Sequence, residues 1–206
     1  MSILDGFDPK KTALLTIDLQ NDFLHPEGAY GRAGQGADAI KVLPARIKPL
    51  RDALQAAGGT YISAQFTLVP GPKGEPLIAA HLKALRPFLT KGDFTPGGFG
   101  HSLVETLAPA DYTIEKVAYS AFYQTRLEYI MRALDLEALI IGGIVTNGGV
   151  ASTVRDAHLR NVETILLSDG AAAFNAEVHD ATLLSLGTVT KVMTCAETVA
   201  LVEGTQ

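Results

Sequence analysis

The sequence predicts an α/β fold in three layers: a mostly parallel open sheet with helices on both faces, in one domain spanning residues 1–206. Three observations carry that expectation. Short β-prone apolar runs alternate with segments of helical periodicity, which is the pattern of βαβ units. No period of 20 to 50 residues repeats, so a solenoid or array is set aside. The length suits one domain with a substantial core.

The elements follow in order. TALLTID (residues 12–18) is an apolar run that ends on a carboxylate. Residues 38–57 place Ile40, Leu43, Ile47, Leu50 and Leu54 at helical spacing until two glycines stop them, and TYISAQF (60–66) reads as the second strand. Residues 68–109 hold so many glycines and prolines that loops or short helices are expected there, forming a lid or a subunit contact. DYTIEKVAYSAF (111–122) gives a third strand and a polar exit, and TRLEYIMRALDL (125–136) a helix. EALIIGGIV (137–145) is a fourth strand and residues 148–160 a helix; VETILLSDG (162–170) is a fifth strand, residues 178–187 another helix, and VTKVMT (189–194) a last short strand.

Charge and cysteine content narrow the function classes. With 17 Lys and Arg against 22 Asp and Glu the net charge is −5, and no basic cluster is present. A nucleic-acid partner and an anionic membrane surface are therefore not expected. The sequence start lacks a basic segment followed by an apolar stretch, and no window reaches the length of a membrane span. Cys195 is the only cysteine, so no intrachain disulfide can form, and a cytoplasmic setting is expected.

In a parallel sheet, ligands sit outside the carboxyl ends of the strands. That rule selects Asp18 after strand one, Lys116 at the end of strand three and the glycine-rich turn after strand four. Asp18 either serves as a general acid or base or caps the turn that follows it. Lys116 either ends its strand in solvent or faces Asp18, holds that carboxylate ionised at rest and stabilises negative charge on a substrate. Val145, Thr146, Asn147, Gly148 and Gly149 form a turn whose amides can cradle an oxyanion or carboxylate, or whose glycines merely let strand and helix pack closely. The turn matches neither a phosphate-binding loop nor the dinucleotide fingerprint.

Phe23, Phe66 and Tyr119, with Phe94 and Phe99, are candidates for an aromatic pocket wall or for core. Asp22 reads as a structural acceptor. Ser120 and Ser152 lack a nucleophile elbow, Cys195 reads as buried packing, and the five histidines have no metal-ligand spacing. Neither a metal nor a cofactor is expected.

Taken together, LLTIDLQNDF, EKVAYSAFYQT and GGIVTNGGVASTVRDAHLRN resemble, in order, the signatures of the isochorismatase-like (cysteine hydrolase) family, over residues 13–199. The resemblance implies an open parallel sheet, a small-molecule substrate and assembly into a homo-oligomer. Most of that family hydrolyse C–N bonds with an Asp-Lys-Cys triad; the aspartate corresponds to Asp18 and the lysine to Lys116, but Gly149 stands at the cysteine position. The family's non-proline cis peptide would fall at Val145-Thr146. Without a thiol at 149 no acyl-enzyme can form there.

The chain resembles instead the branch that includes the isochorismatases, which also have glycine and in which the aspartic acid protonates a vinyl ether before water adds. The segment from Tyr119 to Phe122 is similar to that branch. The sequence departs at VTN, where Asn147 replaces a histidine, and there resembles relatives with Thr-Asn-x-Gly. The metal-binding Asp and His of nicotinamidase-type members have no counterpart in SAQFTLVPG.

Three functional readings follow. One is a cysteine-independent hydrolase of a small anionic or carbonyl-bearing metabolite, with Asp18 as acid or base, Lys116 as its electrostatic partner and Gly149 at the third catalytic position. Another is a ligand-binding protein on an inactive hydrolase scaffold. The third is an amide or ureido hydrolase whose cysteine is replaced by Gly149.

Overall fold

The computed structural model of the chain describes residues 6–204. Six parallel strands form one sheet in the order β3-β2-β1-β4-β5-β6, comprising β1 (Thr12–Ile17), β2 (Thr60–Phe66), β3 (Tyr112–Lys116), β4 (Ala138–Ile144), β5 (Glu163–Ala172) and β6 (Lys191–Met193). The chain winds outward from β1 through β2 to β3, then returns to lay β4 on the other side of β1. Strand order therefore reverses between β1 and β4. Chains leaving neighbouring strands in opposite directions open a crevice at their carboxyl ends, so Asp18 and the turn after β4 lie on its two sides.

The helices are α1 (Asn21–Leu24), α2 (Ala29–Arg32), α3 (Asp38–Lys41), α4 (Leu43–Ala56), α5 (Ala80–Leu85), α6 (Leu127–Ala133), α7 (Ala151–Leu159), α8 (Ala176–Leu186) and α9 (Cys195–Glu203). Residues alternate between faces along a strand, and β1 is buried at every position, so it feeds two cores. Ala13, Leu15 and Ile17 pack with Leu127, Met131, Val154 and Leu186 from α6, α7 and α8. Leu14 packs with Ile47, Leu50 and Leu54 of α4 and Val202 of α9. Among the described residues no helix is long and apolar enough to cross a membrane.

Local chemistry moves several boundaries. The helix expected over residues 38–57 is two helices, because Pro44 supplies no amide to continue α3 but is well suited to the first turn of α4. The fifth strand extends beyond Gly170 to Ala172 through a register shift in its pairing with β4, between Ile141 and Gly143. The last strand shortens to three residues. Residues 68–109 are irregular apart from α5 and a single turn at Glu105–Leu107, as their composition predicts. Gly143 has φ 112°, and a Cβ there would lie 2.2 Å from the Ile17 carbonyl oxygen, so only glycine lets β4 bend against β1 at this point.

Candidate active site

Asp18 is the first residue beyond β1, in the left-handed region at φ 59°, and its amide still donates to the Ala64 carbonyl at 2.8 Å. Lys116 ends β3, two strand spacings from β1, or about 9.5 Å. Only a long side chain crosses that gap under cover of the sheet end. Lys116 does so, donating from Nζ to Asp18 Oδ2 at 2.8 Å and to the Ala118 carbonyl at 3.2 Å, with the ammonium 5.6 Å from the Phe66 ring centre. It is 1% exposed and Asp18 6%.

The two effects on the Asp18 carboxyl oppose each other. Burial disfavours its anion and prevails, so the carboxyl is held above the ordinary aspartate range although the Lys116 charge and hydrogen bond pull it down. Lys116 thus pulls as expected, against a larger desolvation. Asp18 Oδ1 is buried and has no hydrogen-bond partner within ordinary distance among the described residues. An oxygen in that condition is suited to carry a proton and to meet a ligand.

Beside this pair lies a cavity of about 250 Å³, with Asp18, Lys116, Val145 and Gly149 in its wall. Phe23, Phe66 and Tyr119 line it as well. Phe94 is fully buried behind the wall with Leu68 and Leu89, while Phe99 is over half exposed and meets His25 edge-on. Of the turn expected to act as a cradle, Val145 and Gly149 reach the cavity and the three residues between them do not. Thr146 turns its hydroxyl to His179 Nδ1 on α8 at 2.8 Å, Asn147 is exposed, and the Gly148 amide donates to the Val145 carbonyl at 2.9 Å. The non-proline cis bond is Ile144-Val145, one residue before the expected place.

Gly149 faces the carboxylate: a Cβ there would sit 3.4 Å from Asp18 Oδ2, but also 2.9 Å from Ile17 Cγ2 and 3.1 Å from the Ile144 carbonyl oxygen. Thr153 fixes this turn, donating to the Gly149 carbonyl at 2.7 Å and accepting from the Ala121 amide at 3.0 Å. The YSAF exit from β3 and the glycine turn are thereby joined.

Sequence reasoning missed part of the wall. Arg86, Tyr30 and Phe174 all line the cavity; Arg86 Nε donates to Tyr30 Oη at 2.9 Å, and Tyr30 stacks on Phe174 with ring centres 5.7 Å apart. A lone arginine closing α5, inside an otherwise Gly/Pro-rich stretch, was the available signal for Arg86. Gln20 was missed too: it bonds both backbone groups of Phe66, at 2.7 and 3.0 Å, and so fixes that ring against the pocket. Asp22 is the structural acceptor expected, receiving the amides of Ala29 at 2.9 Å and Phe94 at 2.6 Å. Cys195 lies outside the cavity wall, buried at the start of α9. Among the described residues no group of three or more His, Cys, Asp or Glu is placed to hold a metal ion.

This architecture has solved counterparts. A cysteine hydrolase from Pseudomonas syringae pv. phaseolicola 1448A superposes with a TM-score of 0.83 at 26% identity, over 97% of this chain and 96% of its own. An isochorismatase family protein from Desulfovibrio vulgaris subsp. vulgaris str. Hildenborough gives 0.76 at 20% identity, covering 90% and 95%. An isochorismatase-like hydrolase from Alkaliphilus metalliredigens gives 0.73 at 22% identity, covering 92% and 98%. The last two likenesses concern the fold alone. The model of the isochorismatase domain matches residues 12–198, from the first strand into the last helix, and the chain belongs to that family.

Proposed function

We propose that this protein hydrolyses a small anionic or carbonyl-bearing metabolite without a covalent intermediate, with Asp18 as the proton donor and Lys116 as its electrostatic partner. The observation that carries this reading is the unpartnered, buried Oδ1 of Asp18 beside the cavity, on a carboxyl that burial holds above its ordinary range. The neutral acid protonates the substrate at the bond to be cleaved. The carboxylate this leaves is stabilised by the ammonium 2.8 Å away. Water then attacks the activated substrate and Asp18 takes back a proton, which restores the acid and balances the addition of one water. With Gly149 at the third position no thioester forms, and the attacking oxygen comes from water directly.

Family membership supports hydrolysis of a small metabolite in general terms. The rest is tested by assaying Asp18→Asn and Lys116→Ala on every substrate the parent accepts. Loss of turnover by about 10²-fold or more in Asp18→Asn is expected. Parental rates in both variants reject the assignment, and binding without conversion in the parent favours a ligand-binding role. The same proposal includes self-association, for which Val117, Tyr119, Tyr123 and Phe174 supply exposed apolar surface; sedimentation checks it.

A further inference from the structure

Three charged side chains stand on the cavity wall. Two of them engage one another: Lys116 donates to Asp18 at 2.8 Å and is 1% exposed, so its ammonium is closed to a ligand. Arg86 differs. Among the described residues no carboxylate lies within ion-pair distance of it, and its neighbours are phenols, Tyr30 accepting from Nε at 2.9 Å with the Tyr119 hydroxyl close by. Neutral hydrogen bonds orient a guanidinium without cancelling its charge, so Arg86 is the cation that the cavity wall leaves open to a ligand. The remaining surface is apolar, with Phe66, Leu82 and Phe174 among its side chains.

From this we infer that the ligand is a monocarboxylate with a flat apolar body about the size of one ring, its carboxylate on Arg86 and its body between the aromatic walls. The inference rests on reading this cavity as the substrate site. One carboxylate matches the fork of one guanidinium. A second would find no accessible cation, Lys116 being buried and already donating to Asp18 and Ala118, and would be desolvated against apolar carbon, which is costly. A neutral amide would leave the Arg86 charge without an anion. At about 250 Å³ the cavity is slightly below the usual range for ligand pockets, roughly 300–1,000 Å³, which favours a single ring.

Calorimetric titration of the whole protein with benzoate, benzamide and isophthalate tests the single accessible cation without any need for turnover. Benzoate is expected to bind at least tenfold more tightly than either of the others. Arg86→Gln is expected to remove that preference, leaving benzoate and benzamide alike, while Arg86→Lys retains part of it. Isophthalate or benzamide binding the parent as tightly as benzoate, or no benzoate binding at millimolar concentration, overturns the inference; if Arg86→Gln does not fold, this parental ranking decides alone. The two proposals fail separately. The ranking can hold in a protein that converts nothing, which sinks only the hydrolase reading, whereas Asp18-dependent turnover confined to neutral amides or dianions sinks only this one.

Discussion

Asp18 and Cys195 are both buried, both ionisable and both shifted upward by desolvation, yet only Asp18 lines the cavity. Burial pushes the Cys195 thiol up to about 12, and the neighbouring Asp169 carboxylate adds repulsion against a thiolate. The Cys195 amide donates to Asp169 Oδ1 at 2.7 Å as α9 begins, so the local carboxylate serves the backbone. The result is an inert thiol packed in the α4 and α9 layer. Asp18 is desolvated as well, but it has a cation at 2.8 Å, one oxygen with no partner and a cavity in front of it. Desolvation alone stores a proton. Under the proposed function, a partner for the conjugate base and open space for a substrate are what let that proton be used.

Substitutions can break this contrast, and the largest effect is expected at its centre. Asp18→Asn keeps the shape and removes the proton, so turnover falls by about 10²-fold or more in a product assay while the circular dichroism spectrum is unchanged. Lys116→Met removes the counter-charge from a 6% exposed carboxyl. A cost of up to about 3 kcal/mol is expected at pH 8 in urea unfolding, and a smaller one at pH 5, where the orphaned acid takes up a proton.

The sign follows from the raised carboxyl. From the ordinary aspartate range up to the raised value, the folded state holds more protons than the unfolded state. The contribution of Asp18 to stability therefore falls as pH rises through that window. Lys116→Met widens the window, and Asp18→Asn abolishes it.

Moving a thiol to the site sharpens the comparison from the other side. In Gly149→Cys the new Cβ presses on Ile17 Cγ2 and the Ile144 carbonyl, so about 1–3 kcal/mol of stability is lost. No hydrolysis of ureido, carbamoyl or carboxamide compounds is expected to appear; brisk amidase activity would point to an ordinary triad whose cysteine had been exchanged. The smallest effect belongs to Cys195→Ala, which leaves turnover unchanged and costs about 1 kcal/mol. In the native parent this thiol should resist alkylation at pH 8.

The parts of this site that were legible in the sequence share one property: each sits where a regular element ends. Asp18, Lys116 and the glycine turn after β4 were placed by the rule of strand carboxyl ends, because β1, β3 and β4 are periodic enough to be recognised, and Gly149 was singled out within that turn by the family resemblance. Tyr30 lies on the short helix α2 and Arg86 just past the end of the short helix α5, amid loops where no hydrophobic period says which way a side chain points. The turn after β4 was found but its surface was overdrawn. Nothing in VTN reveals that the Thr146 hydroxyl turns to His179, 33 residues further on. The balance at Asp18 is hidden for a related reason: the lysine is visible in the sequence, whereas the desolvation that opposes it is a property of the folded cavity.

The most direct test is to follow the Asp18 side-chain carboxyl by carbon-13 NMR through a pH titration of the ligand-free protein. A midpoint clearly above the ordinary aspartate value, rising further in Lys116→Met, is the predicted result. A midpoint at or below that value would mean that Lys116 prevails over burial, and the proposed acid would then be an anion at the pH where it is asked to give up a proton.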